Sequence, residues 1–292
     1  MSGGGPPPRG RRDVSWLAVA PAGLLIGLFL VLPAGLGLIG SFTDLGPSGG
    51  AGHFVGLANY RAVLADPSLG VAFGNAALLT ALTAPIAIGT GLALALALRR
   101  PFRGRGLVRV LLLAPWLVSP IASGVLWHFL YNSQVGLLGW AAGWSAAAPH
   151  PLADPHWALP AVAGVEVWRL APLAGFLLLP GVLAVPQDDL DAATLAGSPA
   201  RVTLLQVILP RLRGLLLTVL LLLIADSLTT FDGILVLTGG GPGSSTMVPA
   251  LYSYTLAVTG HDWPQATTVA WLLLGLMLAV GAGYLRLLRP PP

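Results

Sequence analysis

Six long apolar runs divide this chain, and each is long enough to cross a lipid bilayer as a helix. About 20 apolar residues suffice for a helix to span the hydrocarbon core. Of the 292 residues, 55% are hydrophobic and 9% are charged, whereas a soluble domain carries roughly 25% charged residues. The sequence therefore predicts an all-α polytopic membrane protein with six transmembrane helices. The predicted helices cover about residues 16–39, 71–98, 110–130, 159–185, 215–237 and 266–288.

The basic residues are all arginines, and their distribution predicts the orientation of the helices. Thirteen of the fifteen lie in the two chain termini, in the 99–109 loop and in the 186–213 segment. Of the other two, Arg61 lies in a different loop and Arg169 lies within a span. Because loops rich in arginine stay on the cytosolic side, both termini and the 186–213 segment are expected to be cytosolic. Topology thus accounts for the net charge of +4, and nucleic-acid binding is not expected.

Two missing residue types exclude several kinds of chemistry in this chain. There is no cysteine, which excludes disulfides, thiol nucleophiles and cysteine-bound zinc. There is also no lysine, and the phosphate-binding loop of ATPases requires one. The five histidines lack the spacing of metal ligands, and no nucleophile–base motif is evident. We therefore expect no catalytic residue, no metal site and no cofactor in this chain.

The polar 186–213 segment lies between the fourth and fifth apolar runs and is patterned as two short helices. The acidic pair at 188–189 marks the start of the first helix, because negative charge suits the positive end of the helix dipole. Gly197 suits a left-handed helix end, and Ser198 is expected to cap a second helix that stops near Pro210. This helix–glycine–helix segment, called the elbow below, indicates a docking site for a cytosolic partner. The simpler alternative is a solvated linker.

The elbow resembles the EAA loop of permease subunits in binding-protein-dependent ABC importers. The match runs from Asp191-Ala192-Ala193 through Gly197 to Ile208-Leu209-Pro210. Asp191 stands where the family usually has glutamate, which keeps the charge. Ala196 stands where the family has aspartate, which removes a possible hydrogen bond at the helix end. The resemblance implies that the residues coupling the chain to an ATPase are Asp191, Ala192, Ala193, Leu195, Gly197 and Leu205.

Three further stretches are similar to the sugar-permease group of the same family. Residues 54–60 read FVGLANY, residues 103–132 combine RGRG, LLLAPW and WHFLYN, and residues 231–242 read FDGILVLTGGGP. The resemblance implies a type I (MetI-like) permease bundle. The implied division of the chain is a disordered cytosolic tail (1–14), a first transmembrane helix (15–40), an extracytoplasmic loop (41–70) and a five-helix permease domain (71–288) that contains the elbow.

The resemblance also implies the assembly in which the chain would act. It predicts a second homologous permease, two cytosolic ATPases that bind ATP and magnesium, and an extracytoplasmic solute-binding protein, at a bacterial cytoplasmic membrane. The expected role is to form half of the pathway for a carbohydrate and to couple that pathway to one ATPase. Glycerol 3-phosphate or a related polyol phosphate is the alternative substrate. A passive channel is the lower alternative function.

A glycine run at residues 239–243 follows the fifth apolar run. It has neither the lysine nor the preceding strand of a phosphate-binding loop. The arginine distribution places it on the extracytoplasmic side, where two roles remain open. It is either a flexible turn alone or also a contact for the binding protein, through Gly239, Gly240, Gly241 and Pro242.

Charged residues within the spans are costly and therefore indicate functional positions. Glu166 and Arg169 are three residues apart, so they are expected to pair on one helix face. Asp226 is expected midway along the fifth span, with hydroxyl groups beside it that suit the hydroxyls of a sugar. A helix–helix hydrogen bond is the equal alternative for Asp226. The candidates for the substrate pathway are Asp226, Ser227, Thr230, Asp232 and Glu166.

Overall fold

The computed structural model describes residues 13–46, 52–141, 143 and 151–288. Within these ranges the chain is helical apart from its connections. No strand occurs there, only one isolated β-bridge between Thr43 and Phe54. The all-α prediction is therefore confirmed. The tail predicted at residues 1–14 lies outside the described residues, except that the first helix already begins at Asp13.

The helices of the described ranges are labelled α1 to α12 in chain order. Helix α1 joins Asp13–Ile26, a π-helical turn at Gly27–Val31, and Leu32–Ser41. Helix α9 joins Ala200–Thr203, a π-helical turn at Leu204–Ile208, and Leu209–Thr229. The others are α2 (Ala58–Ala65), α3 (Pro67–Arg99), α4 (Arg105–Leu112, followed by Ala114–Leu117), α5 (Pro120–Tyr131), α6 (Leu137–Ala141), α7 (Pro155–Leu183), α8 (Gln187–Leu195), α10 (Asp232–Leu237), α11 (Pro249–Tyr254) and α12 (Trp263–Leu288).

The membrane-crossing elements agree with the predicted number. In the described part of the chain, α1, α3, α7, α9 and α12 are long and apolar enough to cross a bilayer. The pair α4 and α5 qualifies together as a sixth element, although it is bent by 91°. Counting the bent pair as one span, six transmembrane elements are present.

The third span differs from its prediction, because the chain breaks where only kinks at Pro115 and Pro120 were expected. Val118 and Ser119 are extended, with ψ angles of 131° and 147°. A proline ring disfavours the helical conformation in the residue before it, which explains the break ahead of Pro120. The Ser119 hydroxyl then accepts a hydrogen bond from the Ala122 N–H at 3.2 Å and caps α5.

The fifth span also differs, since α9 runs without a break from the elbow into the membrane. The second elbow helix therefore does not stop at Pro210, as the sequence predicts. The π-helical turn closes just before this proline, with a hydrogen bond from the Leu209 N–H to the Leu204 carbonyl. A regular helix would clash with the proline ring, and the wider turn shifts the backbone away from it. The helix ends at Thr229, well before the predicted residue 237.

A break at Thr230 and Phe231 separates α9 from α10. Helix α10 packs so closely on α5 that a Cβ atom added at Gly124 would lie 2.8 Å from the Gly233 carbonyl oxygen. The third and fifth apolar runs are thus both broken, and their short C-terminal pieces pack against each other. This arrangement places a helix break beside the charged residues of α7.

The connections at the end of the bundle opposite the elbow are ordered by hydrogen bonds. The Asn59 side-chain amide donates to the carbonyls of Ser41 and Thr43, at 2.9 Å each, and so ties the end of α1 to α2. The loop expected at residues 41–70 contains α2 and the first turn of α3, which begins at Pro67. Helix α11 lies between the glycine run and the last span, where no helix is predicted.

Candidate functional site

An ion triad lies inside the bundle, between α7 and α9. Arg169 donates to the Glu166 carboxylate through Nε at 3.2 Å and through Nη2 at 2.8 Å. The same guanidinium reaches across to the Asp226 carboxylate of α9. Thr230 donates from its hydroxyl to the other Glu166 oxygen at 3.3 Å. The expected Glu166–Arg169 pair is therefore present, and Asp226 joins it across the helix interface.

Burial makes this triad energetically important. Glu166 is 3% exposed and Arg169 is 6% exposed, whereas the Asp226 side chain is 36% exposed. A buried charge is tolerated only when a partner and hydrogen bonds compensate it. Two carboxylates here share one guanidinium, so Arg169 is the group on which both depend. The partly exposed Asp226 is the member that can also meet a molecule outside the bundle.

The sequence suggests that the other pathway candidates form a single row along one helix. In the structure they do not. Ser227 is fully buried on α9, and its hydroxyl has no hydrogen-bond partner in the described part of the chain. Thr230 lies in the break and contacts Glu166, while Asp232 begins α10 and forms no ion pair with Arg169 in the described part of the chain. The reason is that α9 ends at Thr229, so the helical spacing does not continue to Asp232.

Gly233 belongs to this site, although the sequence reasoning did not select it. A Cβ atom at this position would lie 3.3 Å from the Pro120 carbonyl oxygen and 3.7 Å from Oε1 of Glu166. The FDG triplet at 231–233 is the signal that could have indicated it. The absence of a side chain here lets α10 approach both α5 and the triad.

The elbow closes as predicted at Gly197, whose φ angle is +69°. The Ser198 N–H bonds to the Ala193 carbonyl and the Gly197 N–H bonds to the Thr194 carbonyl, both at 2.9 Å. This pair of hydrogen bonds is a Schellman helix end, which requires the left-handed conformation that glycine adopts without strain. The capping role expected for Ser198 is wrong. Pro199 precedes the second helix, and no side chain caps it.

Side chains at its base fix the elbow to the bundle. Arg99, at the end of α3, donates to the Val185 carbonyl at 3.1 Å and to Oε1 of Gln187 at 3.2 Å. Asp189 forms an ion pair with Arg211 of α9. These contacts connect the first elbow helix, α8, to α3 and α9, and the second elbow helix is itself the start of α9.

The tip of the elbow presents apolar side chains to the outside. Leu190 and Leu204 pack against the core between α3 and α7, whereas Leu195 is 90% exposed and Leu205 is 51% exposed. Asp191, Ala192 and Gly197 are exposed as well, and Ala193 is half-buried. The coupling residues expected from the sequence are therefore all exposed, apart from Ala193.

The glycine run forms a hydrogen-bonded turn rather than a flexible one. The Thr246 hydroxyl donates to the Gly241 carbonyl at 2.9 Å, and Asn75 of α3 donates to the carbonyls of Ser244 and Met247. Gly239 and Gly240 have φ angles of +62° and +90°, which only glycine adopts freely. Hydrogen bonds therefore hold this turn, which differs from the flexible turn expected, and a contact with the binding protein stays a prediction.

At the same end of the bundle, hydrogen bonds to Asp66 join the start of α3 to α11. The Tyr252 hydroxyl donates to the Asp66 carboxylate, which also accepts the Ser68 N–H at 2.8 Å. These hydrogen bonds hold the pKa of Asp66 below its usual range, and the bond from Tyr252 has the largest effect. Burial, followed by the nearby Asp66, raises the pKa of Tyr252. Because folding lowers the pKa of Asp66, its ionised carboxylate stabilises the folded state. This contribution to stability is complete above the ordinary pKa of the residue and is lost as the pH falls through its lowered pKa in the folded state.

These features define a class of protein: a polytopic helical membrane component with an exposed elbow and a buried ion triad. In the part of the chain that the structure describes, no group of three or more histidine or acidic residues is placed to hold a metal ion. The chain belongs to the family of binding-protein-dependent transport system inner membrane components, whose model matches residues 87–290. It is therefore a multi-pass permease subunit of an ABC importer and not itself an enzyme, as the sequence predicts.

Relatives match over most of their length. The sulfoquinovosyl glycerol permease SmoG of Agrobacterium fabrum is 30% identical over 289 residues, covering 96% of this chain and 92% of its own. The trehalose/maltose permease MalF of Thermococcus litoralis is 32% identical over 237 residues, covering 81% of this chain and 80% of its own. The sn-glycerol-3-phosphate permease UgpA of Agrobacterium fabrum is 28% identical over 275 residues, covering 93% of each chain.

A solved structure has the same fold. The crystal structure of a bacterial ABC transporter that imports the acidic polysaccharide alginate superposes with a TM-score of 0.79. The match covers 96% of this chain and 97% of that one, at 17% sequence identity. At this identity the likeness concerns the fold, and it agrees with the predicted type I permease bundle.

Proposed function

We propose that this chain forms half of the membrane pathway of a carbohydrate importer. The relatives SmoG and MalF are named for sugar-containing substrates, which supports this substrate class. UgpA is named for sn-glycerol 3-phosphate, so a polyol phosphate is the alternative. Direct uptake measurements with both substrate classes separate the two.

The proposed assembly contains a second homologous permease, two cytosolic ATPases that carry ATP and magnesium, and an extracytoplasmic binding protein. The proposed location is a bacterial cytoplasmic membrane, with both termini and the elbow in the cytosol. The arginine distribution supports this orientation, because arginines flank the elbow and the end of α3 but are nearly absent from the opposite loops. The glycine run, at the other end of the bundle, would then face the binding protein.

The elbow carries this proposal, through the exposure of Leu195. A leucine that is 90% exposed contributes nothing to the packing of its own chain. An apolar side chain inserted into a partner's pocket is, by contrast, a strong source of binding energy. The anchors at the base of the elbow then connect the docked ATPase to α3 and α9. Movement of the ATPases would in this way reach α9, which carries Asp226 of the ion triad.

Replacing Leu195 with arginine is expected to remove the ATPases from the complex without unfolding the chain. Loss of an anchor that is buried in the partner costs about 2 kcal/mol or more, which weakens the affinity for the ATPase more than tenfold. The measurement is native mass spectrometry of the importer extracted gently from its own membranes. Wild type should carry one other permease and two ATPases. The variant should keep the other permease.

The matched control is Gln206→Arg, which places the same charge at another exposed position of the elbow. It should retain the full complex. A wild-type chain that is isolated alone or as a homo-oligomer would contradict the proposed assembly. Equal ATPase content in the Leu195 and Gln206 variants would contradict the docking role of Leu195 while leaving the importer assignment intact.

Asp226 is proposed to contact the substrate, since it is the exposed member of the triad. Replacement with asparagine keeps the size of the side chain and its ability to accept a hydrogen bond from Arg169. The Glu166–Arg169 pair remains, so the fold should persist. Loss of a charged acceptor for sugar hydroxyls is expected to raise the half-saturating substrate concentration about tenfold.

This prediction is checked by ATP-dependent uptake of a labelled carbohydrate into vesicles that contain the complete importer. Thr229→Ala is the control, because Thr229 is exposed on the same helix. Its hydroxyl donates only to the backbone carbonyls of residues 225 and 226 in that helix. Unchanged half-saturation in the Asp226→Asn variant would remove this residue from the pathway. Uptake that does not depend on ATP would instead favour a passive channel.

A further inference from the structure

A groove of about 600 Å³ runs beside the elbow at the arginine-rich end of the bundle. Three arginines, Arg99, Arg100 and Arg201, line it and are called its rim below, and no acidic residue lines it. Its wall is apolar, with Leu96, Leu204 and Ile208 among the lining residues. The groove therefore combines a positive rim with a hydrocarbon wall.

The arginines of the rim form no ion pair with an acidic residue in the described part of the chain. Asp189 pairs with Arg211, and Asp191 accepts a hydrogen bond from the Gln187 side chain at 2.9 Å. Nη1 of Arg99 is buried without a hydrogen-bond partner in the described part of the chain. A buried N–H donor without an acceptor is costly. The rim is thus suited to an anionic ligand with several acceptor oxygens, since guanidinium groups match phosphate geometry.

The position of the groove selects an amphiphilic ligand over a soluble one. Arg99 is the last residue of the apolar helix Pro67–Arg99, so the rim lies where this apolar helix gives way to the polar elbow. Leu96 lies about one helical turn further into the apolar helix. A free phosphate or an acidic peptide would satisfy the rim and leave the apolar wall uncovered. A phospholipid covers both.

We propose that this groove binds an anionic phospholipid, with the phosphate at Arg100 and Arg201 and an acyl chain along Leu96 and Ile208. Basic pockets between transmembrane helices hold anionic headgroups by the same combination of charge and apolar contact. The lipid would lie against the elbow that Arg99 anchors. The site is separate from the ion triad and from the exposed Leu195.

The test uses the full chain in nanodiscs of equimolar phosphatidylglycerol and phosphatidylcholine, followed by detergent extraction and mass spectrometry of the retained lipids. Wild type should retain phosphatidylglycerol in preference to phosphatidylcholine. The double variant Arg100→Gln/Arg201→Gln should lower that preference about tenfold, because it removes the two positive charges that attract the lipid phosphate. Arg103→Gln/Arg286→Gln removes the same charge from exposed positions outside the groove and should retain the preference.

Three results would overturn the proposal. Wild type could retain the two lipids equally, or the groove variant could retain phosphatidylglycerol as well as the control does. Excess inorganic phosphate could remove the bound lipid completely, which would assign the rim to a soluble anion. If the double variant aggregates, the single variant Arg100→Gln takes its place, since Arg100 is exposed and should not affect folding.

Discussion

Replacement of Arg169 with leucine is expected to leave little correctly folded protein in the membrane. The change removes the shared partner of Glu166 and Asp226 and leaves two carboxylates next to each other inside the bundle. Breaking a buried ion pair by removing one partner costs about 3–5 kcal/mol, which is a large part of the stability of a typical domain. The amount of monodisperse protein and its thermal midpoint in mild detergent, measured by fluorescence size exclusion, check this result.

The compensating variant tests whether the unpaired charge is the cause. Glu166→Gln with Asp226→Asn in the Arg169→Leu background removes all three charges together. Neutral replacements of a whole buried ion cluster are often close to neutral in stability, so this triple variant should recover most of the folded protein. If it remains as unstable as Arg169→Leu alone, the packing of the arginine side chain rather than its charge holds α7 to α9.

The triad also shows what kind of contact a sequence can predict. Glu166 and Arg169 are neighbours on one helical face, and their pairing follows from a spacing of three residues. Asp226 joins them from a different helix, and no local spacing indicates that contact. Its role as a helix–helix partner was one of two equal alternatives until the structure brought α7 and α9 together.

Prolines account for most of the misplaced boundaries. The sequence treats Pro210 as a stop and Pro120 as a kink, yet the chain continues through the first and breaks before the second. A π-helical turn ahead of Pro210 relieves the clash locally, whereas an extended Ser119 and its cap begin a new helix at Pro120. Both outcomes obey the same steric rules. Tertiary packing against neighbouring helices decides between them, and that information is not local.

The elbow was predictable because its determinants are local. A left-handed glycine and a start rich in acidic residues act within a few residues of themselves, so the first helix and its end appear at the expected positions. The groove beside the elbow could not be predicted. Its rim joins Arg99 and Arg100 of the second span to Arg201 of the elbow, and only the fold brings these residues together.

Replacement of Gly91 with leucine is expected to separate α3 from α7 and to prevent assembly of the bundle. A Cβ atom at this position would lie 2.6 Å from the Gly175 nitrogen and 2.9 Å from the Ala171 carbonyl oxygen. Both are backbone atoms, so no side-chain rotation relieves the clash. Overpacking by even small groups costs about 1–3 kcal/mol, and a leucine adds three carbons beyond Cβ.

The matched variant Gly89→Leu lies on the same helix, where an added Cβ atom meets nothing within 4 Å. It should be as stable as wild type or slightly more stable, because leucine favours a helix by up to about 1 kcal/mol over glycine. The two variants have identical composition, so membrane insertion and helix propensity cancel in their comparison. Their thermal midpoints in detergent isolate the contact between α3 and α7. Equal midpoints would mean that these helices can separate at Gly91 without cost, and that the close approach of their backbones does not stabilise the bundle.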